Sequence, residues 1–297
     1  MATRSKKLGK AVVNQRGEEE TKEENNKGII IHIPENKESL GRKACRRSKR
    51  KVDVSDTLTV MYANIQGKKT SLQYTMKSLE TDIVLLSETM TRKVSLPGCQ
   101  CIIPKSSVGQ NVAILLSGKI CSCSKMKLYE PNETVNMIGV RIDCKQIGIR
   151  LYTAHLKQQS SNSRDEISSQ FDEIRNQFRS ANAGREAMMI ILDANVHVGN
   201  AGINECEDKQ DWGGKLLLSM IESEGLTLVN NLGLCNGVVT RVDPRNGTKS
   251  TIDLAICNTF MVNYLVDMSI DEKESWRLKK YGAKKVTQTD HNTITIN

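Results

Sequence analysis

The sequence predicts a layered α/β fold in which helices cover the faces of sheets. Three observations predict it. Short apolar, β-rich runs recur along most of the chain, amphipathic helical stripes lie between some of them, and the two kinds of segment are mixed rather than strictly alternating.

The apolar runs occupy residues 58–62, 83–87, 112–117, 147–153, 188–192, 226–230, 251–257 and 293–296. The first helical stripe places Leu72, Met76 and Leu79 on one face. The second, Ile167, Phe171, Ile174 and Phe178, steps by 4, 3 and 4, and Ser163-x-x-Glu166 before it has the form of a capping box. Leu216, Leu217, Met220 and Ile221 suggest a third helix, closed by Gly225. No internal repeat of solenoid period is present.

Residues 1–56 have a different texture. They lack hydrophobic periodicity and carry a dense basic run from Arg42 to Lys51, so they cannot bury enough apolar surface to offset the entropy of ordering. The division expected is a disordered basic arm over 1–56 and one domain over 57–297. The arm holds 15 Lys/Arg against 9 Asp/Glu, a net of +6, and the remainder holds 28 against 25, a net of +3. The overall +9 is therefore concentrated in the arm, which reads either as a nuclear-localisation or phosphate-binding segment or as a solvated tail.

Of the 297 residues, 38% are hydrophobic and 26% charged, which excludes wholesale disorder. No apolar run approaches the roughly 18–20 residues of a membrane helix, and no apolar core follows the first residues, so neither a membrane partner nor a secretory signal is expected. Nine cysteines without a signal point to reduced thiols inside the cell. Cys99-x-Cys101 and Cys121-x-Cys123 are spaced too closely for ordinary zinc pairs.

The chemistry is signalled by where the apolar runs end. They run into Asn64, Glu88, His155 and Asp193-Ala194-Asn195, and further polar groups follow at Asp253 and at Asp290-His291. Acidic and amide groups at strand ends can converge on one edge of a sheet sandwich, where hard oxygen ligands suit Mg²⁺ or Mn²⁺. A histidine beside them can exchange protons or stabilise a phosphate.

These residues occur in the order of a known family. Asn64 with Gly67, Leu86-Ser87-Glu88-Thr89, Asp193-Ala194-Asn195, Thr240-Arg241, Ser250-Thr251-Ile252-Asp253 and Thr289-Asp290-His291 together resemble the endonuclease/exonuclease/phosphatase superfamily. Within it, residues 57–297 most resemble the apurinic-type endonuclease domain of non-LTR (LINE-like) retrotransposons and of craniofacial-development-protein-like gene products. Leu192 and Ala194 depart from the family's Gly and Phe, and Thr289 replaces Ser.

The resemblance implies a four-layer α/β/β/α sandwich and a Mg²⁺- or Mn²⁺-dependent phosphodiester hydrolase, a DNA endonuclease of nicking or apurinic type. It implies catalytic roles for His155, Asp193, Asn195, Asp253 and His291, with Tyr152 as the alternative to His155. It implies metal ligation by Asn64, Glu88 and Asp290, and substrate contact by Thr240, Arg241 and Ser250. DNA is the implied partner; the oligomeric state is left open with a monomer favoured, and the basic run favours an intracellular, nuclear location. A phosphomonoesterase of the same superfamily, or a domesticated DNA- or protein-binding module, are the alternatives. Trp276 and Tyr281 lie in a basic stretch, Arg277 to Lys285, which reads equally as a DNA-gripping loop or a solvated one.

Overall fold

The computed structural model describes residues 57–68, 70–90, 94–104, 111–123, 126–129, 135–144, 147–281 and 286–297. The 1–56 arm and Lys284 and Lys285 of the basic stretch lie outside the described residues. Elements are numbered in chain order. One sheet contains β1 (Val60–Asn64), β2 (Ile83–Ser87), β3 (Cys99–Ile102), β4 (Val112–Ser117), β10 (Cys235–Asn236), β14 (Met268–Ile270) and β17 (Ile294–Ile296), arranged β10-β14-β17-β1-β2-β4-β3. The other contains β5 (Met126–Tyr129), β6 (Asn136–Asp143), β7 (Gly148–His155), β8 (Ala187–Asp193), β9 (Thr227–Leu228) and β13 (Asp253–Cys257), arranged β5-β6-β7-β8-β13-β9. Two ribbons stand apart, β11 (Arg241–Val242) with β12 (Lys249–Ser250), and β15 (Lys279–Tyr281) with β16 (Val286–Gln288). The helices are α1 (Leu72–Ser78), α2 (Gly118–Cys123), α3 (Arg164–Ala183), α4 (Trp212–Ser223) and α5 (Thr259–Val262).

Three apolar cores separate four layers, as the resemblance implies. Successive strand side chains point to opposite faces. Ile83 and Leu85 of β2 therefore meet Met189 and Ile191 of β8 between the sheets. Val84 and Leu86 face α1 through Leu72 and Met76. Met188, Ile190 and Leu192 face α3 and α4, against Phe171, Phe178, Leu217 and Met220. A strand buried on both faces needs no polar alternation, which is why these runs are continuously apolar. The capping box at Ser163 and Glu166 is formed and starts α3 as read. Only Thr227 and Leu228 of the 226–230 run form a strand, because the chain turns into a 3-10 segment at Val229–Asn231.

Strand β6 has no clean signal in the sequence because Gly139 interrupts it. A Cβ at Gly139 would lie 2.4 Å from the Tyr152 ring, so the glycine makes room for that ring across the β6–β7 pair. A second glycine sets the approach of α4 to the loop after β8. A Cβ on Gly214 would lie 2.0 Å from the His197 carbonyl oxygen. Gly214→Ala is expected to force these two backbones apart, costing about 1–3 kcal/mol of stability as overpacking does. Thermal unfolding checks this; an unchanged Tm would contradict the contact.

The cysteines whose side chains are described are free thiols. Among the described residues no helix is long and apolar enough to cross a membrane.

Candidate functional site

Register and side-chain alternation bring the polar strand ends to one end of the sandwich. Asp193 ends β8 with the parity of Met189 and Ile191, so it faces the space between the sheets. Asp253 begins β13 directly opposite Asp193 in an antiparallel pair, on the same face. His155 ends β7 in register with Asp193 and shares the inward parity of Leu151. From the facing sheet Tyr62, Asn64 and Ser87 point inward at the paired ends of β1 and β2. Glu88 follows β2 with a positive φ of 48°, and its carbonyl accepts from Gly67 N at 2.9 Å. Such a φ in a non-glycine residue costs of order 1–3 kcal/mol and persists only where its surroundings enforce it.

The side chains form one network. Asn64 Nδ2 donates to Glu88 Oε1 at 2.9 Å and to Asp193 Oδ2 at 2.8 Å. His155 Nε2 lies 3.6 Å from Glu88 Oε1 and 3.9 Å from Asp193 Oδ2. Asn195, at φ 49°, turns back so that its backbone N–H donates to Asp193 Oδ1 at 3.2 Å. His291 Nδ1 is 2.7 Å from Asp253 Oδ2, and Tyr62 donates its phenol to Asp253 Oδ1 at 2.9 Å. The Tyr62 oxygen also shares a hydrogen bond of 2.9 Å with Ser87 Oγ.

Burial raises the Asp193 carboxyl to about 7, and the neighbouring Asp253 and Glu88 push the same way against the opposing pull of His291. Burial disfavours charge on His291, but Asp253, Asp193 and Asp290 outweigh it and hold the imidazole at about 9. Burial lowers the pKa of His155, partly offset by Glu88. Burial followed by the charges of Asp253 and Asp193 raises the Tyr62 phenol well above its usual range. The site thus holds a protonated His291, a neutral His155 and a carboxyl poised near neutrality.

Glu88, Asp193 and His291 each offer a ligand atom, all within 4.8 Å of one another. Glu88 and Asp193 bring carboxylate oxygens to this cluster, while His291 is held through Nδ1 by Asp253. This hard donor set fits a divalent cation such as Mg²⁺ or Mn²⁺.

Several positions differ from the roles the resemblance implies. Tyr152 points away from the site; it is fully buried against the α3 side and donates to Gln177 Oε1 at 2.9 Å. Two residues separate it from His155 in β7, which places the two on opposite faces of the strand. Asn64 presents its amide nitrogen to both carboxylates, while its oxygen accepts from Gln66 N at 3.3 Å, so it enters as a donor rather than a ligand. Asp290 is committed on both oxygens, Oδ1 to the Gln66 amide and Oδ2 to Arg241 Nε at 3.0 Å, so it stands outside the ligand cluster. Thr240 is fully buried, and its hydroxyl accepts from the backbone N–H groups of Ile252 and Asp253 at 3.0 Å each, which makes it a support for Asp253. Ser250 is buried at the β11–β12 pair, in register with Arg241. Arg241 stays half-exposed above Asp290. Asn195 Nδ2 donates to Leu156 O at 2.8 Å and thereby ties the ends of β7 and β8 together.

Tyr62, Ser87 and Gln66 were not legible as site residues. Tyr62 and Ser87 are the last residues of apolar runs and look like core positions, and Gln66 looks like part of a turn. The support of Asp253 by Thr240 has a direct consequence. Thr240→Val removes the acceptor of two buried N–H groups while keeping the shape, and is expected to cost about 1–3 kcal/mol per orphaned group and to slow catalysis. Thr240→Ser should restore both. Unfolding and turnover of the two variants check this, and a Thr240→Val variant as stable and active as the wild type would refute the support.

Sequence comparison finds no matching family model and no matching curated protein. Solved structures do match. One is the endonuclease domain of TRAS1, a telomere-specific non-LTR retrotransposon, at 18% identity over 81% of this chain and 97% of that one, with a TM-score of 0.60. Another is an AP endonuclease from Leishmania major, at 11% identity over 82% of this chain and 88% of that one, with a TM-score of 0.63. A third is a mannosyl-6-phosphatase from Bacteroides thetaiotaomicron, at 13% identity over 81% of this chain and 99% of that one, with a TM-score of 0.55. The fold is of the endonuclease/exonuclease/phosphatase type.

Proposed function

We propose that the protein is a divalent-metal-dependent phosphodiester hydrolase that cuts DNA as an endonuclease. The observation that carries this reading is the meeting of Glu88, Asp193, His155 and the Asp253–His291 pair at one end of the sandwich, bound together by Asn64. Such a set can activate water and neutralise phosphate charge at the same point.

Glu88, with Asp193 beside it, would hold Mg²⁺ or Mn²⁺, which when bound supplies charge neutralisation at the phosphate and the leaving oxygen. Asp193, whose carboxyl burial raises in the metal-free site, accepts the proton of a water attacking phosphorus. A new phosphorus–oxygen bond forms and the bond to the leaving oxygen breaks. His291 keeps Nδ1–H on Asp253 and is left with Nε2–H to donate to a phosphoryl oxygen as charge builds. His155, neutral, adds a second donor. Arg241, half-exposed, stands where a substrate phosphate could exchange with Asp290 as its partner.

The fold alone does not choose between nucleic acid and a small phosphate ester. The retroelement-like order of the motifs favours DNA, as does the TRAS1 likeness. The mannosyl-6-phosphatase of the same fold keeps a phosphomonoesterase as the second reading. The test is Mg²⁺-dependent nicking of supercoiled, abasic and single-stranded DNA, alongside phosphate release from sugar and inositol phosphates. Nicking suppressed by chelator supports the endonuclease; phosphate release without nicking replaces it. By extension from the basic run in the 1–56 arm, nuclear residence is part of the proposal.

A further inference from the structure

The β15–β16 ribbon has no part in the chemistry above, yet the fold seats it beside the site. The segment from Thr289 to Thr293 is bonded along both of its edges. On one edge Val242 N donates to Asp290 O at 2.9 Å and Asn292 N to Thr240 O. On the other, Thr289 N donates to Leu278 O at 2.9 Å and Thr293 Oγ1 to Trp276 O at 3.0 Å. Asp290 and His291 therefore lie between the β11–β12 ribbon and the foot of β15–β16.

That foot is fixed. Leu278 is buried in the α1-side core, Lys279 N donates to Ser71 Oγ at 2.9 Å, and Arg277 Nε donates to Asn292 Oδ1 at 2.9 Å. Beyond it the ribbon leaves the core. Tyr281 and Val286 are cross-strand partners and stay 59% and 54% exposed, an apolar pair presented to solvent. Lys279 and Lys280 have no carboxylate partner among the described residues. Arg241 and Arg245 of the other ribbon differ here, since each is paired, with Asp290 and Asp243 respectively.

We infer that this ribbon is a DNA-contacting arm that enters a groove of a duplex lying across His291, with Lys279 and Tyr281 on one face and Lys280 on the other, each lysine reaching a backbone phosphate and Tyr281 packing on the sugar edge. The inference rests on the hydrolase reading for the duplex's placement. Uncompensated lysines on a rigid support match a polyanion, and an exposed aromatic beside them matches the apolar faces of sugars and bases. The Tyr281–Val286 pair can steady the ribbon as aromatic–β-branched cross-strand pairs do, and its exposure leaves the ring free to meet a sugar as well.

The test measures binding of the full chain to a labelled DNA duplex by fluorescence anisotropy, in chelator and over a range of salt. Lys279→Gln combined with Lys280→Gln is expected to weaken binding on the order of tenfold at low salt and to reduce the slope of log K against log salt by about 2, since each phosphate contact contributes about 0.9. Tyr281→Ala is expected to weaken binding several-fold and leave the slope unchanged. Melting curves confirm that the variants are folded. An unaltered slope in the double variant, or a wild type that does not bind the duplex, overturns the inference. Hydrolysis of bis(4-nitrophenyl) phosphate by the wild type with Mg²⁺ is measured in parallel. Its absence overturns the hydrolase reading while the anisotropy result stands separately.

Discussion

Asp193→Asn is expected to reduce DNA nicking on the order of 10²–10⁴-fold while raising the temperature of unfolding. The loss follows from chemistry. Asparagine keeps the shape of the site and can still accept from Asn64 through its one oxygen, giving up the longer bond from the Asn195 N–H, but cannot accept the proton of the attacking water. The gain follows from linkage. Asp193 titrates at about 7 in the folded protein against 3.8 for an ordinary Asp, because burial and the charges of Asp253 and Glu88 oppose its ionisation. Between those values the folded chain retains a proton that the unfolded chain has lost, so this group's contribution to stability falls as pH rises and has been lost above about 7. An amide has no charge to desolvate. The variant should therefore melt above the wild type at about pH 8 in chelator, and the difference should shrink as pH falls toward the ordinary Asp value. The site stores instability for function, as active sites commonly do. Retained nicking would remove Asp193 from the chemistry, and equal melting temperatures at high pH would remove the electrostatic account.

Much of this arrangement was legible in the sequence, and the parts that were not share a physical reason. The runs at 83–87 and 188–192 announce buried strands, and the polar residue that follows each run, Glu88 or Asp193, announces a sheet edge. What an unbroken apolar run conceals is parity. His155 and Tyr152 both stand in β7, and nothing in the surrounding residues says which of them faces the opposite sheet. The packing of Tyr152 in the α3-side core, with its hydroxyl on Gln177, places it on the face away from the opposite sheet. Tyr62 is hidden for the same reason: it reads as one more core aromatic, and only the meeting of two sheets puts its phenol on Asp253. Thr240 illustrates the reverse case. The family order marks it, but its hydroxyl is spent on two backbone N–H groups, so the motif records a structural support behind the site rather than a substrate contact. Asn64 and Asp290 are also marked by the family order. The partners of each, two carboxylates for the one and Gln66 with Arg241 for the other, are visible only in three dimensions.

His291→Gln is expected to lower kcat on the order of 10²–10³-fold and to change the shape of the pH profile as well as its height. In the wild type the productive state has Asp193 deprotonated and His291 protonated. His291 is held at about 9 and should set an alkaline limb, while a bound cation should bring the Asp193 carboxyl below its metal-free value of about 7, so the profile should be bell-shaped with its acid limb below 7. Glutamine can still donate a neutral hydrogen bond to a phosphoryl oxygen but does not titrate. The alkaline limb should disappear, leaving activity that rises through the acid limb and then stays level. Stability supplies an independent reading of the same residue. The His291 pKa is raised above the ordinary 6.5, so its pairing with Asp253 contributes stability that is fully present below about 6.5 and is lost as pH rises through about 9. Replacing His291 leaves the Asp253 carboxylate buried with the Tyr62 phenol but without its cation, so the variant should be destabilised most below pH 7 and progressively less toward the alkaline end. A persistent alkaline limb in the His291→Gln variant would move the titrating acid to another group. A destabilisation that does not vary with pH would show that His291 serves the fold by packing and not by charge.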